Sequence, residues 1–129
     1  MTQIYRQTNK SAGADLSASE DVHISAGAIC LVPTGFFLPE INTTDNLYYL
    51  LAARSSLAYK KGLLLANGVG IIDYDYKDEV KVMLYNSCDN DVTISKGERI
   101  AQLIPSYFIP MFPSLDNGRN GGFGSTGDK

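Results

Sequence analysis

Hydrophobic positions along this chain recur mainly with a period of two. DVHIS (residues 21–25), NLYYLLAA (46–53), DEVKVMLYN (78–86), DVTIS (91–95) and RIAQLI (99–104) alternate or run apolar in strand-length blocks. Turn residues separate them: Ser25-Ala26-Gly27, Pro33-Thr34-Gly35, Asp89-Asn90-Asp91 and Lys96-Gly97. Short strands at this spacing predict an all-β sandwich or barrel.

One stretch breaks the pattern. RSSLAYKKG, residues 54–62, offers Ser55 or Ser56 as an N-cap, lysines late and Gly62 as a stop, which predicts one short helix. From about Asp116 the chain loses periodicity and reads NGRNGGFGSTGDK, a flexible end. No repeat of 20–50 residues marks a solenoid or propeller.

Composition narrows the chemistry. The chain has 129 residues, suited to one domain, with 44% hydrophobic and 19% charged side chains. A net charge of -3 argues against a broad basic footprint for nucleic acid. No apolar run approaches the ~20 residues that cross a bilayer. Cys30 and Cys88, with no signal-like leader, point to a reducing compartment, the cytoplasm or a nucleus, and not to a disulfide. The one histidine, His23, lies in a polar strand pattern, so a histidine metal site or a Ser-His-Asp triad is not expected.

Five stretches carry candidate chemistry, and each has an ordinary structural reading beside it. In KSAGADLSA, Asp15 is a turn aspartate or a carboxylate beside a hydrated cation. Arg54-Ser55-Ser56 is a plain helix cap or a phosphate cradle. In ANGVGIIDYDYKDEV, Asn67-Gly68 signals a hairpin turn. Strand alternation there would put Asp73 and Asp75 on one face and Tyr74 and Tyr76 on the other, a general-base site or a solvated surface. In KGERIAQLI, alternation groups Ile100, Gln102 and Ile104, so that Gln102 needs a partner in protein or ligand. In the tail, Phe123 can stack on a base and Ser125 and Thr126 can donate to phosphate, or the segment is a linker.

In this order, SAGADL, RSSLA, NGVGIIDYDY, GERIAQLI and GGFGSTG resemble the five motifs of the trimeric dUTPase family, across nearly the whole chain. The resemblance implies a β jelly roll with one short helix, a core of residues 1–115 and a glycine-rich C-terminal lid of residues 116–129. It also implies a homotrimer with shared active sites, Mg²⁺ as cofactor, and hydrolysis of dUTP to dUMP and pyrophosphate. That reaction limits uracil in DNA and supplies dUMP for dTMP synthesis.

Position by position, the resemblance implies that Asp15 holds Mg²⁺ through water and that Arg54, Ser55 and Ser56 hold phosphates. Asn67 and the backbone through Gly70, Ile71 and Ile72 would read uracil. Asp73 would be the general base, and Tyr76 would pack on the deoxyribose. Gln102 would contact phosphate, and Lys81 and Gly124 complete the substrate-binding set. Phe123 would stack on the base, with Ser125, Thr126 and Arg119 closing on the terminal phosphate.

Four departures from the pattern stand out. Ala53 stands where proline is usual, Ser56 replaces a glycine, Asp78 replaces a glycine, and Gly118-Arg119 inverts an arginine–glycine pair. A dCTP deaminase of the same fold is the nearest rival. Its glutamate on the strand matching VKVMLYN is missing here, which removes the proton carrier. A regulatory member of the fold that binds other proteins is a third reading.

Overall fold

The computed structural model describes residues 2–115. Among these residues nine strands and one helix follow in order: β1 (Ala14–Ser17), β2 (Val22–Ile24), β3 (Ile29–Phe36), β4 (Leu47–Ala53), α1 (Ser55–Lys61), β5 (Leu63–Leu65), β6 (Gly70–Asp73), β7 (Val80–Asn86), β8 (Val92–Ile94) and β9 (Arg99–Tyr107). They form antiparallel sheets in the orders β1-β9-β4-β6, β3-β7-β5 and β2-β8. Each period-two block of the sequence holds a strand, so the all-β expectation stands.

The core lies where the inward positions of these sheets meet. Leu16, Val32, Val82, Leu84, Ile94 and Ile100 are all fully buried. A buried polar residue, Asn86, fixes the join between sheets. Its amide donates to the Ile24 and Asn90 carbonyls and its Oδ1 accepts the Cys88 N–H, so its polar atoms are matched inside the apolar interior.

Three local expectations are corrected. Pro33-Thr34-Gly35 is no turn; it lies within β3, where pairing with β7 slips between Pro33 and Phe36 and Gly35 takes φ +69°. β3 is an edge strand of its sheet, which tolerates the missing proline N–H, and glycine supplies the bulge. Asn67-Gly68 does not close a hairpin. The turn is real, with Gly68 N–H on the Leu65 carbonyl, but β5 pairs with β7 and β6 pairs with β4, so it carries the chain from one sheet to another.

The third concerns α1. Arg54, not a serine, is the N-cap, and no side chain caps the helix. Gly62 stops it as expected, at φ +66°, with its N–H on the Ala58 and Leu57 carbonyls.

Candidate functional site

Three distant segments meet on one face of the β1-β9-β4-β6 sheet. Asp15 on β1 is in register with Gln102 on β9, which is in register with Ala52 on β4. Two residues on from Ala52, the chain leaves the sheet at Arg54 and enters α1. The Arg54 guanidinium turns back to the Asp15 carboxylate at 3.6 Å. Gln102 donates to the Ala53 carbonyl at 3.4 Å. Ser55 and Ser56 form the first turn of the helix beside them, Ser55 exposed and Ser56 half-buried.

Asp15 is held from further directions. Gln7 donates to Oδ2 at 2.6 Å, and Arg99 stands 3.5 Å from the same oxygen. Arg6 fixes the loop that carries Gln7 by donating to the Asn9 and Ser11 carbonyls. Only 15% of the Asp15 side chain is exposed. Arg54, Ser56, Lys60, Lys61 and Arg99 border a cavity of about 310 Å³ between α1 and the β8–β9 turn. With Glu98 as the one acid among the described residues on its lining, the cavity favours anions.

Arg99 owes its place to an irregularity. Pairing of β1 with β9 slips so that Leu16 faces Ala101 but Ser17 faces Arg99. Ile100 is therefore an extra residue, and both Ile100 and Ala101 are fully buried. Strict alternation would set Arg99 and Gln102 on opposite faces; the bulge brings both to Asp15.

The second group lies along the chain from the Asn67 turn. Asn67 is exposed at the turn. Gly70 is buried against β4, and a Cβ there would stand 2.9 Å from the Leu51 Cβ. Ile71 is 63% exposed, whereas Ile72 packs on the core. Asp73 ends β6 opposite Tyr48, exposed at the rim of a cavity shared with Tyr74, Asp75 and Asp45.

The strand stops at Asp73, yet Asp73 and Asp75 are exposed and Tyr74 and Tyr76 half-buried, as alternation would have them. Residues 73–76 form a turn closed by the Tyr76 N–H on the Asp73 carbonyl at 3.0 Å. Tyr74 donates its hydroxyl to the Ile41 carbonyl, and Tyr76 donates to the Glu79 carbonyl. Burial, then the nearby charges of Asp78 and Glu79, push the Tyr76 phenol above its ordinary value, so the ring stays neutral at physiological pH.

The two groups are far apart within one chain. Asp15 lies on one edge strand and Asp73 on the other, three strand spacings away, or roughly 14 Å. They are also offset by the four residues from Ala52 to Tyr48, roughly another 13 Å. Lys81 lies apart again, on β7 opposite Pro33 in another sheet.

A family model described as dUTPase matches residues 1–127. The chain belongs to the dUTPase family. A deoxyuridine 5'-triphosphate nucleotidohydrolase of Rickettsia massiliae is 41% identical, over 93% of this chain and 84% of its own. That of Paramecium bursaria Chlorella virus 1 is also 41% identical, over 95% and 87%. The dUTPase from Streptococcus mutans superposes with a TM-score of 0.77 at 35% identity, covering 85% of this chain and 88% of that one. The fold is therefore the jelly roll of this family.

Within that family frame, several expected positions have a local setting. Arg54, Ser55, Ser56, Gln102 and Asp15 converge, while Asn67, Gly70, Ile71, Ile72, Asp73 and Tyr76 form a second group. Arg119, Phe123, Gly124, Ser125 and Thr126 lie outside the described residues. The sequence reading gave no role to Gln7, Lys60 or Arg99. Arg99 sits inside the quoted GERIAQLI stretch, but only the bulge reveals its direction.

Proposed function

We propose that this member of the dUTPase family hydrolyses dUTP to dUMP and pyrophosphate in a homotrimer whose active sites are shared between subunits. The observation that carries the shared-site reading is the separation of Asp15 and Asp73 on opposite edges of one sheet. A single nucleotide cannot bring both into use within one chain, whereas the first group of one subunit beside the second group of another makes a complete site.

In that site Arg54, Ser55, Ser56 and Gln102 bind the triphosphate. The anion-favouring cavity beside α1 and the exposed first turn support this role. Gly70, with no Cβ, lets the backbone around Asn67, Ile71 and Ile72 sit close to β4 and present polar groups to uracil. Tyr76, braced by its bond to Glu79, packs on the deoxyribose.

Asp73 takes a proton from water as the water oxygen bonds to the α-phosphorus. The bond from that phosphorus to its bridging oxygen breaks, and pyrophosphate leaves with the electron pair. Phe123 stacks on the base, and Ser125, Thr126 and Arg119 close on the terminal phosphate, expelling water.

The donor set suits Mg²⁺ held at second hand. Asp15 offers hard oxygens: Oδ2 takes the Gln7 bond at 2.6 Å and Arg99 at 3.5 Å, whereas Oδ1 has Arg54 at 3.6 Å, which leaves it acceptor capacity for a water. Mg²⁺ bound to the triphosphate would neutralise its charge and polarise the phosphorus. Asp15 would hold it through that water. Lys81 follows two residues after Glu79, whose carbonyl accepts the Tyr76 hydroxyl, and joins the substrate-binding set from β7.

The deciding experiment is turnover of dUTP, dCTP, dTTP and UTP side by side with Mg²⁺. Selective release of dUMP and pyrophosphate from dUTP is expected. Deamination of dCTP with dUTP left intact would replace this reading with the deaminase.

A further inference from the structure

Helix α1 carries the residues expected to bind phosphate; at its start no side chain caps it, while at its end Ser87 donates its N–H and hydroxyl to the Gly62 carbonyl and the Cys88 thiol donates to the Lys61 carbonyl. The helix has seven residues, too few to be stable alone, with one buried side chain, Leu57. In the last turn, Lys61 also places its ammonium 2.8 and 3.0 Å from the two carboxylate oxygens of Glu98 and donates to the Thr93 carbonyl at 3.0 Å.

Glu98 is itself anchored. Its carboxylate accepts the Ser95 N–H at 3.1 Å, and its carbonyl accepts the Ala18 N–H at 2.9 Å. Lys61 and Glu98 side chains are only 33% and 26% exposed, so the pair is shielded better than an ordinary surface contact. The adjoining residue, Arg99, reaches Asp15. One short turn therefore touches the helix with one side chain and the cation-holding carboxylate with the next.

We propose that the Lys61–Glu98 pair is a positioning latch that sets the first turn of α1 for the phosphates of the substrate. The proposal rests on the dUTP-hydrolysing reading above. Neither residue needs to touch the nucleotide; both act through Arg54, Ser55 and Ser56. The rival role is direct phosphate contact by Lys61, which also borders the cavity beside Arg54 and Ser56.

The two roles part at Glu98. Replacing it with glutamine frees the Lys61 charge: a direct contact would then bind phosphate more tightly, whereas a broken latch binds it less tightly.

The test measures Kd for dUMP and for a non-hydrolysable dUTP analogue in full-length wild type, K61M, E98Q, K61M/E98Q and K61R. The analogue should bind about tenfold more weakly in K61M and E98Q, with no further loss in the double variant. Binding of dUMP should stay within about twofold, because it presents one phosphate to the helix. K61R, which keeps the pair, should match wild type.

Tighter analogue binding in E98Q, additive losses in the double variant, or equal losses for dUMP and analogue would each overturn the latch. If K61M does not fold, the near-isosteric E98Q and K61R decide the matter. Wild-type turnover of dUTP tests the underlying reading by itself, independently of the variant pattern.

Discussion

Gly13 lies directly against Gln102: a Cβ added to Gly13 would stand 2.8 Å from the Gln102 Oε1 and 2.9 Å from the Ile104 Cγ1. The glycine two residues before Asp15 is thus a clearance for the glutamine expected to touch phosphate. G13A should cost about 1–3 kcal/mol through overpacking and should also displace Gln102. Denaturant unfolding measures the first effect and KM for dUTP the second. A neutral G13A in both measurements would mean that the contact relaxes freely.

Asp73 should behave as a proton acceptor and not as an anchor. D73N is expected to lower kcat by about 10²–10⁴-fold while the Kd of a non-hydrolysable analogue barely changes. Calorimetry beside single-turnover kinetics separates the two, and an active D73N removes the residue from the base role.

The proposed sharing of sites between subunits makes an unusual forecast. D15N and D73N, each nearly inactive alone, should recover activity when co-refolded, since mixed trimers contain sites with both native carboxylates. Light scattering should report a trimer. Mixtures no better than their components would place a whole site in one chain.

The segment 116–129 should matter for turnover and not for folding. The last strand among the described residues ends at Tyr107. Deletion of the segment is expected to lower kcat/KM on the order of 10²-fold, as loss of a closing element does, with little change in unfolding temperature. Full activity of the truncated chain would reduce the segment to a linker.

Acid should weaken the fold in a defined window. For Glu98, burial alone would raise the pKa, but the bonds from Lys61 and Ser95 and the Lys61 charge outweigh it and hold the carboxyl below its ordinary 4.5. At Asp91, the Ala26 N–H and then His23 act in the same direction from an ordinary 3.8. Both folded-state values are lowered, so both contributions are complete above the ordinary values and fade as pH falls below about 4.5. Unfolding temperature measured from pH 7 to pH 3 should drop in this range, and E98Q should flatten that drop.

What the sequence disclosed, and what it withheld, follows one physical divide. Period-two blocks identify strands because they report burial, and Gly62 marks a helix end because few residues accept φ +66°. Pairing partners are not local. Asn67-Gly68 signals a turn equally well whether its arms pair with each other or with different sheets. The bulge at Ile100 leaves no mark in a run of apolar residues, so Arg99 stayed without a direction. Gln7 depends on the loop knotted by Arg6, a contact no periodicity encodes. The family motifs pointed to more of the candidate site than periodicity did, because they mark positions such as Asp15, Arg54 and Gln102 that this hidden pairing brings together.

The turn at Asn67 is held from two sides. Its arms are bonded into different sheets, one to β7 and one to β4, so opening it would require two sheets to give way together. As the proposed reader of uracil, a surface anchored on both sides would behave as a gauge and not as a glove. A pyrimidine with one methyl too many would meet a wall that cannot retreat, and discrimination would then rest on stiffness built before any nucleotide arrives.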